Sequence, residues 1–351
     1  MRRTIVIIHP GALGDVLLAV PAMRQLRARF PRHQLVLCAN GQVAQLLLEC
    51  REIDAWLSVK RSACGELFGQ PAAATGELKD WLGQCDLAVA WMQDEAGTLA
   101  AVLQRAGAQD LRVQSPFSPE LRSGHQSDRF VEVLCEPADN SLPPVPLAVP
   151  DHLLKRGQAR LEESGVRTDQ PLVLVHPGSG SRHKCVRPEI LVAVMDHLRE
   201  EGAFPVVLEG PADQDAVTSL IARCSARPTV LRGLELCALA GSLAHMRLFI
   251  GHDSGITHLS ALLGLQTVAL FGPTDPGRWA PRGHHVTVVG GTPCTCRSWD
   301  TVMHCTEKPC LQLSVEEIAA ACRIQRLEDA NPRNPSRSAL SPPTPYAKVT
   351  S

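Results

Sequence analysis

Residues Thr4 to Leu17 read Thr-Ile-Val-Ile-Ile-His-Pro-Gly-Ala-Leu-Gly-Asp-Val-Leu. Thr4–Ile8 is a short continuous apolar run, the pattern of a strand in a parallel sheet covered on both faces. It ends in His9-Pro10-Gly11. Val16–Arg29 then carries Val16, Leu17, Val20, Met23 and Leu26 at helical spacing, and Pro31 stops that helix. The opening returns in mid-chain, where residues 172–178 read Leu-Val-Leu-Val-His-Pro-Gly. Further strands are expected at Gln34–Ala39, Asp86–Trp91, Pro205–Leu208, Arg247–Ile250 and Thr267–Phe271, alternating with helical patterns. That alternation predicts an α/β chain built from βαβ units, and the two matching openings predict two Rossmann-like halves. The expected domains are 1–165 and 166–325, divided near a polar, Pro-rich stretch at 140–150. The aperiodic, Pro- and Ser-rich tail, 326–351, is expected to be disordered.

The bulk composition agrees with two soluble domains. The chain has 351 residues, 44% of them apolar, enough for two cores. Aromatics make up only 4% and the formal net charge is -1, which argues against a nucleic-acid partner. No apolar run approaches the ~20 residues of a membrane helix. Met1-Arg2-Arg3 and the run after it resemble a signal peptide only superficially, because the run is short and ends in His-Pro-Gly; a cytoplasmic protein is expected. In that reducing setting scattered cysteines such as Cys38, Cys50 and Cys237 read as free thiols.

Three loops carry candidate chemistry, each at the carboxyl end of a strand, where open α/β sheets bind ligands. In the first, Gly11 and Gly14 allow close backbone approach and Asp15 opens the helix. Asp15 serves equally well there as a residue complementing the helix dipole. The second, His176–Lys184, combines Ser179, Ser181, backbone amides and Lys184, a set suited to a diphosphate; its bland alternative is a solvated basic turn. The third runs through Asp253, Ser254, Gly255, Thr257 and His258. Capping explains one of Asp253 and Ser254, but not the cluster. A fourth feature, Asp213-Gln214-Asp215, has the form that holds a metal in some glycosyltransferases, although acidic residues opening a helix are commoner.

Together these pieces resemble the heptosyltransferases, glycosyltransferase family 9. The family's opening Gly-Ala-Leu-Gly-Asp-Val-Leu is matched by Gly11–Leu17, with Pro21 in the helix that follows. Its His-Pro-Gly-Ser-Gly…Lys is matched by His176–Lys184. Its Gly-Asn-Asp-Ser-Gly-x-x-His-Leu-Ala is matched by Gly251–Ser260, with His252 for Asn, and its Pro-Thr-Val-Ala-Leu-Phe-Gly-Pro-Thr-Asp-Pro by Gln266–Pro276, with Gln266 for Pro. The likeness runs from about residue 4 to about 322. One departure is the missing Trp after the middle motif, where this chain has Lys184-Cys185-Val186-Arg187-Pro188.

The resemblance implies a GT-B fold, with two Rossmann-like domains facing across a cleft. It implies an inverting transfer from a nucleotide-sugar, commonly ADP-heptose, to the lipopolysaccharide core or a similar lipid-linked or glycan acceptor. The enzyme is then expected in the cytoplasm, at the inner membrane surface. No cofactor and no catalytic metal are implied, and Asp213 is expected near the nucleotide ribose. In the resulting mechanism Asp15 is the base, Lys184 neutralises the leaving phosphate, and Ser179, Ser181 and the amides around Gly255 complete the anion site. Asp253 orients sugar hydroxyls. Cys294, Cys296, Cys305 and Cys310, with His304 alongside, are open to zinc ligation, to free thiols or to redox chemistry. A non-catalytic nucleotide-sugar binder is the main competing reading. An NAD-dependent oxidoreductase would need a full glycine fingerprint, which the chain lacks.

Overall fold

The computed structural model describes residues 3–59, 76–134 and 145–323. The expected disordered tail lies outside the described residues. The first half holds β1 Thr4–Ile8, α1 Leu13–Leu18, α2 Val20–Arg29, β2 Gln34–Ala39, α3 Gly41–Glu49, β3 Ala55–Ser58, α4 Gly76–Leu82, β4 Cys85–Ala90, α5 Thr98–Arg105, β5 Asp110–Val113 and α6 Gln126–Glu132. The second half holds α7 Asp151–Glu163, β6 Leu172–His176, α8 Pro188–Glu200, β7 Phe204–Glu209, α9 Gln214–Ile221, β8 Thr229–Arg232 and α10 Leu236–Leu243. It continues with β9 Leu248–His252, α11 Gly255–Leu262, β10 Gln266–Phe271, α12 Pro276–Trp279, β11 Val286–Gly290, α13 Trp299–His304 and α14 Val315–Ala321.

The strands form two all-parallel sheets, ordered β3-β2-β1-β4-β5 and β11-β10-β9-β6-β7-β8. The α/β, two-sheet expectation holds. In the first sheet the order reverses between β1 and β4, so the turn after β1 opens at a switch point. In the second it reverses between β6 and β9, which pair with His176 opposite Gly251. The loops leaving β6 and β9 are therefore neighbours, although more than seventy positions separate them in sequence.

The expected single helix Val16–Arg29 is two helices. It starts earlier, at Leu13, and breaks at Ala19. Pro21 has no N–H to give to the carbonyl of Leu17, and its ring crowds that carbonyl, so the chain turns before restarting.

Each sheet is covered on both faces. One apolar core joins the two domains, running from Ile5, Leu17 and Leu47 to Leu174, Leu239 and Leu259. The outer faces have separate cores, around Ile8 and Leu103 in the first half and around Val175 and Met195 in the second. α7 precedes the expected boundary at 165 yet packs on α10 of the second half. Their backbones touch at Gly157 and Gly241, where any side chain would collide with the partner helix. Cys38 is disulfide-bonded, unlike the free thiol expected; Cys50 and Cys237 are free. Among the described residues no helix is long and apolar enough to cross a membrane.

Candidate active site

Asp15 lies in the first turn of α1, where its carboxylate accepts the Ala12 amide at 3.3 Å. Part of its role is thus local. Its electrostatics go further: burial raises its pKa, the Ala12 hydrogen bond opposes that, Asp253 raises it again and Lys184 lowers it. Asp253 and Lys184 belong to the second half, so Asp15 reaches the cleft and senses both. The first and second halves meet here through α1 and α11. A Cβ on Gly255 would stand 2.9 Å from Leu13 and 3.0 Å from the Gly14 nitrogen, and one on Gly14 would stand 3.3 Å from His258. At Gly14 and Gly255 the close approach is between the two helices themselves. Gly11 has a different constraint: its amide donates to His9 Nδ1 at 3.1 Å, and a Cβ would meet the same ring.

Because β6 and β9 are neighbours, the middle and late loops interlock. Lys184 Nζ donates to Asp253 Oδ2 at 2.7 Å and the Thr274 hydroxyl donates to the same oxygen at 2.9 Å. Among the described residues Asp253 Oδ1 takes no hydrogen bond. The Ser179 hydroxyl donates to the Asp253 carbonyl at 2.7 Å, and Ser181 caps the short 3₁₀ turn, Arg182–Lys184, that presents Lys184. Ser254 caps α11, and the hydroxyl of fully buried Thr257 donates back to the His252 carbonyl. Thr257 shapes the turn from inside. His258 is also buried. Burial drives its pKa down to about 4, with Asp253 opposing and His125 and Lys184 reinforcing. It is therefore neutral at pH 7 and a weaker base than ordinary imidazole.

Asp213 does not face open solvent. It is buried, accepts His176 Nε2 at 2.8 Å and the Gly210 amide at 2.9 Å, and crowds Gly178. Burial alone would raise its pKa, but the His176 and Gly210 contacts hold it below the usual carboxylate range. Asp215 is exposed, whereas the Asp213 carboxylate is buried and already engaged by His176 and Gly210.

Four contributors were missed in the sequence. His252, the departure from the family's Asn, accepts the Val186 amide at Nε2 (3.0 Å) and lies 3.3 Å from the Gly178 carbonyl through Nδ1, tying the two loops together. Thr274, within the motif Gln266–Pro276, reaches the Asp253 carboxylate from the loop after β10. Trp299 brings a ring whose centroid is 5.8 Å from Lys184 Nζ, although the aromatic expected after Lys184 in the chain is absent. Finally, α6 clamps the second half: Arg282 makes two 2.6 Å bonds to Asp128, and Arg278 meets Gln126 Oε1 at 3.1 and 3.2 Å. No local pattern marked that pairing.

Residues 104–310 match the family model described as glycosyltransferase family 9 (heptosyltransferase). Lipopolysaccharide heptosyltransferase 3 of Escherichia coli is 25% identical over 292 residues, which span 76% of this chain and 83% of that protein. Among solved structures, the family 9 glycosyltransferase of Veillonella parvula superposes with a TM-score of 0.75 at 20% identity, covering 91% of this chain and 96% of that one. The E. coli ADP-heptose lipopolysaccharide heptosyltransferase II gives 0.67 at 17% identity, over 91% and 97%.

Proposed function

The chain belongs to glycosyltransferase family 9, the heptosyltransferases, and from that premise we propose that it moves a heptose, with inversion, from ADP-heptose to a lipopolysaccharide-core or similar glycan acceptor. The observation that carries this reading is the Lys184–Asp253 pair at the second sheet's switch point, sensed by Asp15 from the other domain. In the reaction the Asp15 carboxylate takes the proton of the acceptor hydroxyl. That oxygen attacks the anomeric carbon from the face opposite the diphosphate, and ADP leaves. A raised pKa makes Asp15 a stronger base than an ordinary carboxylate. Lys184 neutralises charge growing on the departing phosphate, with Asp253 and Thr274 fixing its position. Asp253 Oδ1 serves the sugar hydroxyls, Ser179 and Ser181 shape the phosphate loop, and Asp213 supports that loop from beneath. With a lipid-linked acceptor the enzyme works on the cytoplasmic face of the inner membrane; the E. coli relative named for lipopolysaccharide supports this class of acceptor.

The deciding assay follows ADP release from ADP-heptose with and without a heptose-deficient lipopolysaccharide core. Release that depends on the acceptor is expected. Tight donor binding with no turnover on any core acceptor would instead identify a non-catalytic binder.

A further inference from the structure

Beyond the transfer site, a second cluster of reactive groups lies in the loop between β11 and α14. The sulfurs of Cys294, Cys296 and Cys305 all lie within 4.8 Å of one another, and the closest pair, Cys294 and Cys296, is 2.9 Å apart. All are free thiols, and Cys294 packs against the buried core that includes the free thiol of Cys310. Sulfurs on one tetrahedral ion, at a metal–sulfur distance of ~2.3 Å, stand about 3.8 Å apart. The three sulfurs, all within 4.8 Å of one another, are close enough to reach that spacing with small side-chain adjustments.

A second observation concerns the backbone. Lys308 has φ 43°, one of two non-glycine residues in the left-handed region among those described. That turn brings the Lys308 amide to 3.4 Å from Cys305 Sγ, so that an N–H points at the sulfur. Left-handed backbone at a lysine is uncommon and persists where surroundings enforce it. Backbone N–H groups aimed at sulfur are what an anionic, metal-bound thiolate needs from its outer shell. His304, whose Nδ1 lies 2.8 Å from the Asp300 carbonyl, is not among the groups gathered within 4.8 Å of one another.

We propose that Cys294, Cys296, Cys305 and Cys310 hold one thiolate-bound transition-metal ion of the zinc or iron class. Each thiol that ligates releases its proton to solvent as the metal–sulfur bond forms. The ion ties the stretch after β11 to the end of α13, the helix that begins with Trp299 and carries its ring to Lys184. The role is structural, distinct from catalysis, and the proposal stands whatever the donor and acceptor prove to be.

The test is metal analysis of the purified full-length chain. About one equivalent of zinc or iron per chain is expected, falling severalfold in Cys294→Ser and Cys305→Ser and unchanged in Cys224→Ser. After removal of the metal under full reduction, added Co²⁺ should give thiolate-to-cobalt charge-transfer absorption that saturates at about one equivalent. If the serine variants fail to fold, alkylation of the unmodified protein decides. Cys294, Cys296 and Cys305 should resist iodoacetamide until the metal is stripped. A metal-free chain that, once reduced, binds no Co²⁺ and alkylates at these sites without delay overturns the proposal.

Discussion

Asp15 is held under two opposed influences, burial that favours its neutral form and an amide hydrogen bond that favours its charge. With its folded pKa raised, the folded state holds the proton more tightly than the unfolded chain does. Stability therefore falls as pH rises from the unfolded value near 3.8 through the folded one, and at neutral pH the ionised group weakens the fold. Asp15→Asn removes that charge and still accepts the Ala12 amide. Its melting temperature should match or exceed the parent's, while kcat drops by roughly 10²–10⁴-fold. A variant that melts earlier and loses activity only in proportion would make Asp15 structural. Lys184 acts on a charge that develops in the transition state, so Lys184→Ala should lose about 2.7–4 kcal/mol of transition-state stabilisation, read in kcat. Near-normal turnover in that variant removes it from the mechanism.

At the scale of elements, the crossing of α1 and α11 sets where Asp15 stands. Gly255→Ala places a methyl against Leu13 and the Gly14 backbone, which cannot retreat as a side-chain tip can. A loss of about 1–3 kcal/mol is expected from such overpacking, with a fall in kcat as α1 shifts. Gly124→Ala, whose Cβ meets nothing within 4 Å and which lies outside the phosphate loop, is the control. Denaturant midpoints and turnover for the pair check both halves of the claim. The strands were legible because strands covered on both faces are written as unbroken apolar runs; β2 falls where it was expected, at Gln34–Ala39. The loop motifs were legible too. Their partners were not, since Lys184 meets Asp253, and His176 meets Asp213, only through the order of strands in the sheet. Gly14 and Gly255 show the same limit: each announces a close approach, and neither says what approaches.

For the whole molecule, three buried histidines set the response to acid. His9, His252 and His258 are each driven by burial from 6.5 down to about 4. All three are depressed, so their contribution is complete above about pH 6.5 and is lost as pH falls from there through 4. Asp213, held low by His176, adds its own loss further into acid. Melting temperature should therefore fall steeply between pH 6.5 and 4, and His252→Gln should flatten that limb. A melting temperature level across this range would mean the histidines are reached by water. The core shared by the two domains carries a further consequence, for how the chain is made. α1 and α3 rest on α11 and α10, which are synthesised much later. At ~5–20 residues per second, roughly 10–40 s separate the emergence of α3 from that of α10 at the ribosome. For that interval the parts of α1 and α3 that α11 and α10 will cover have only water or a chaperone for neighbours.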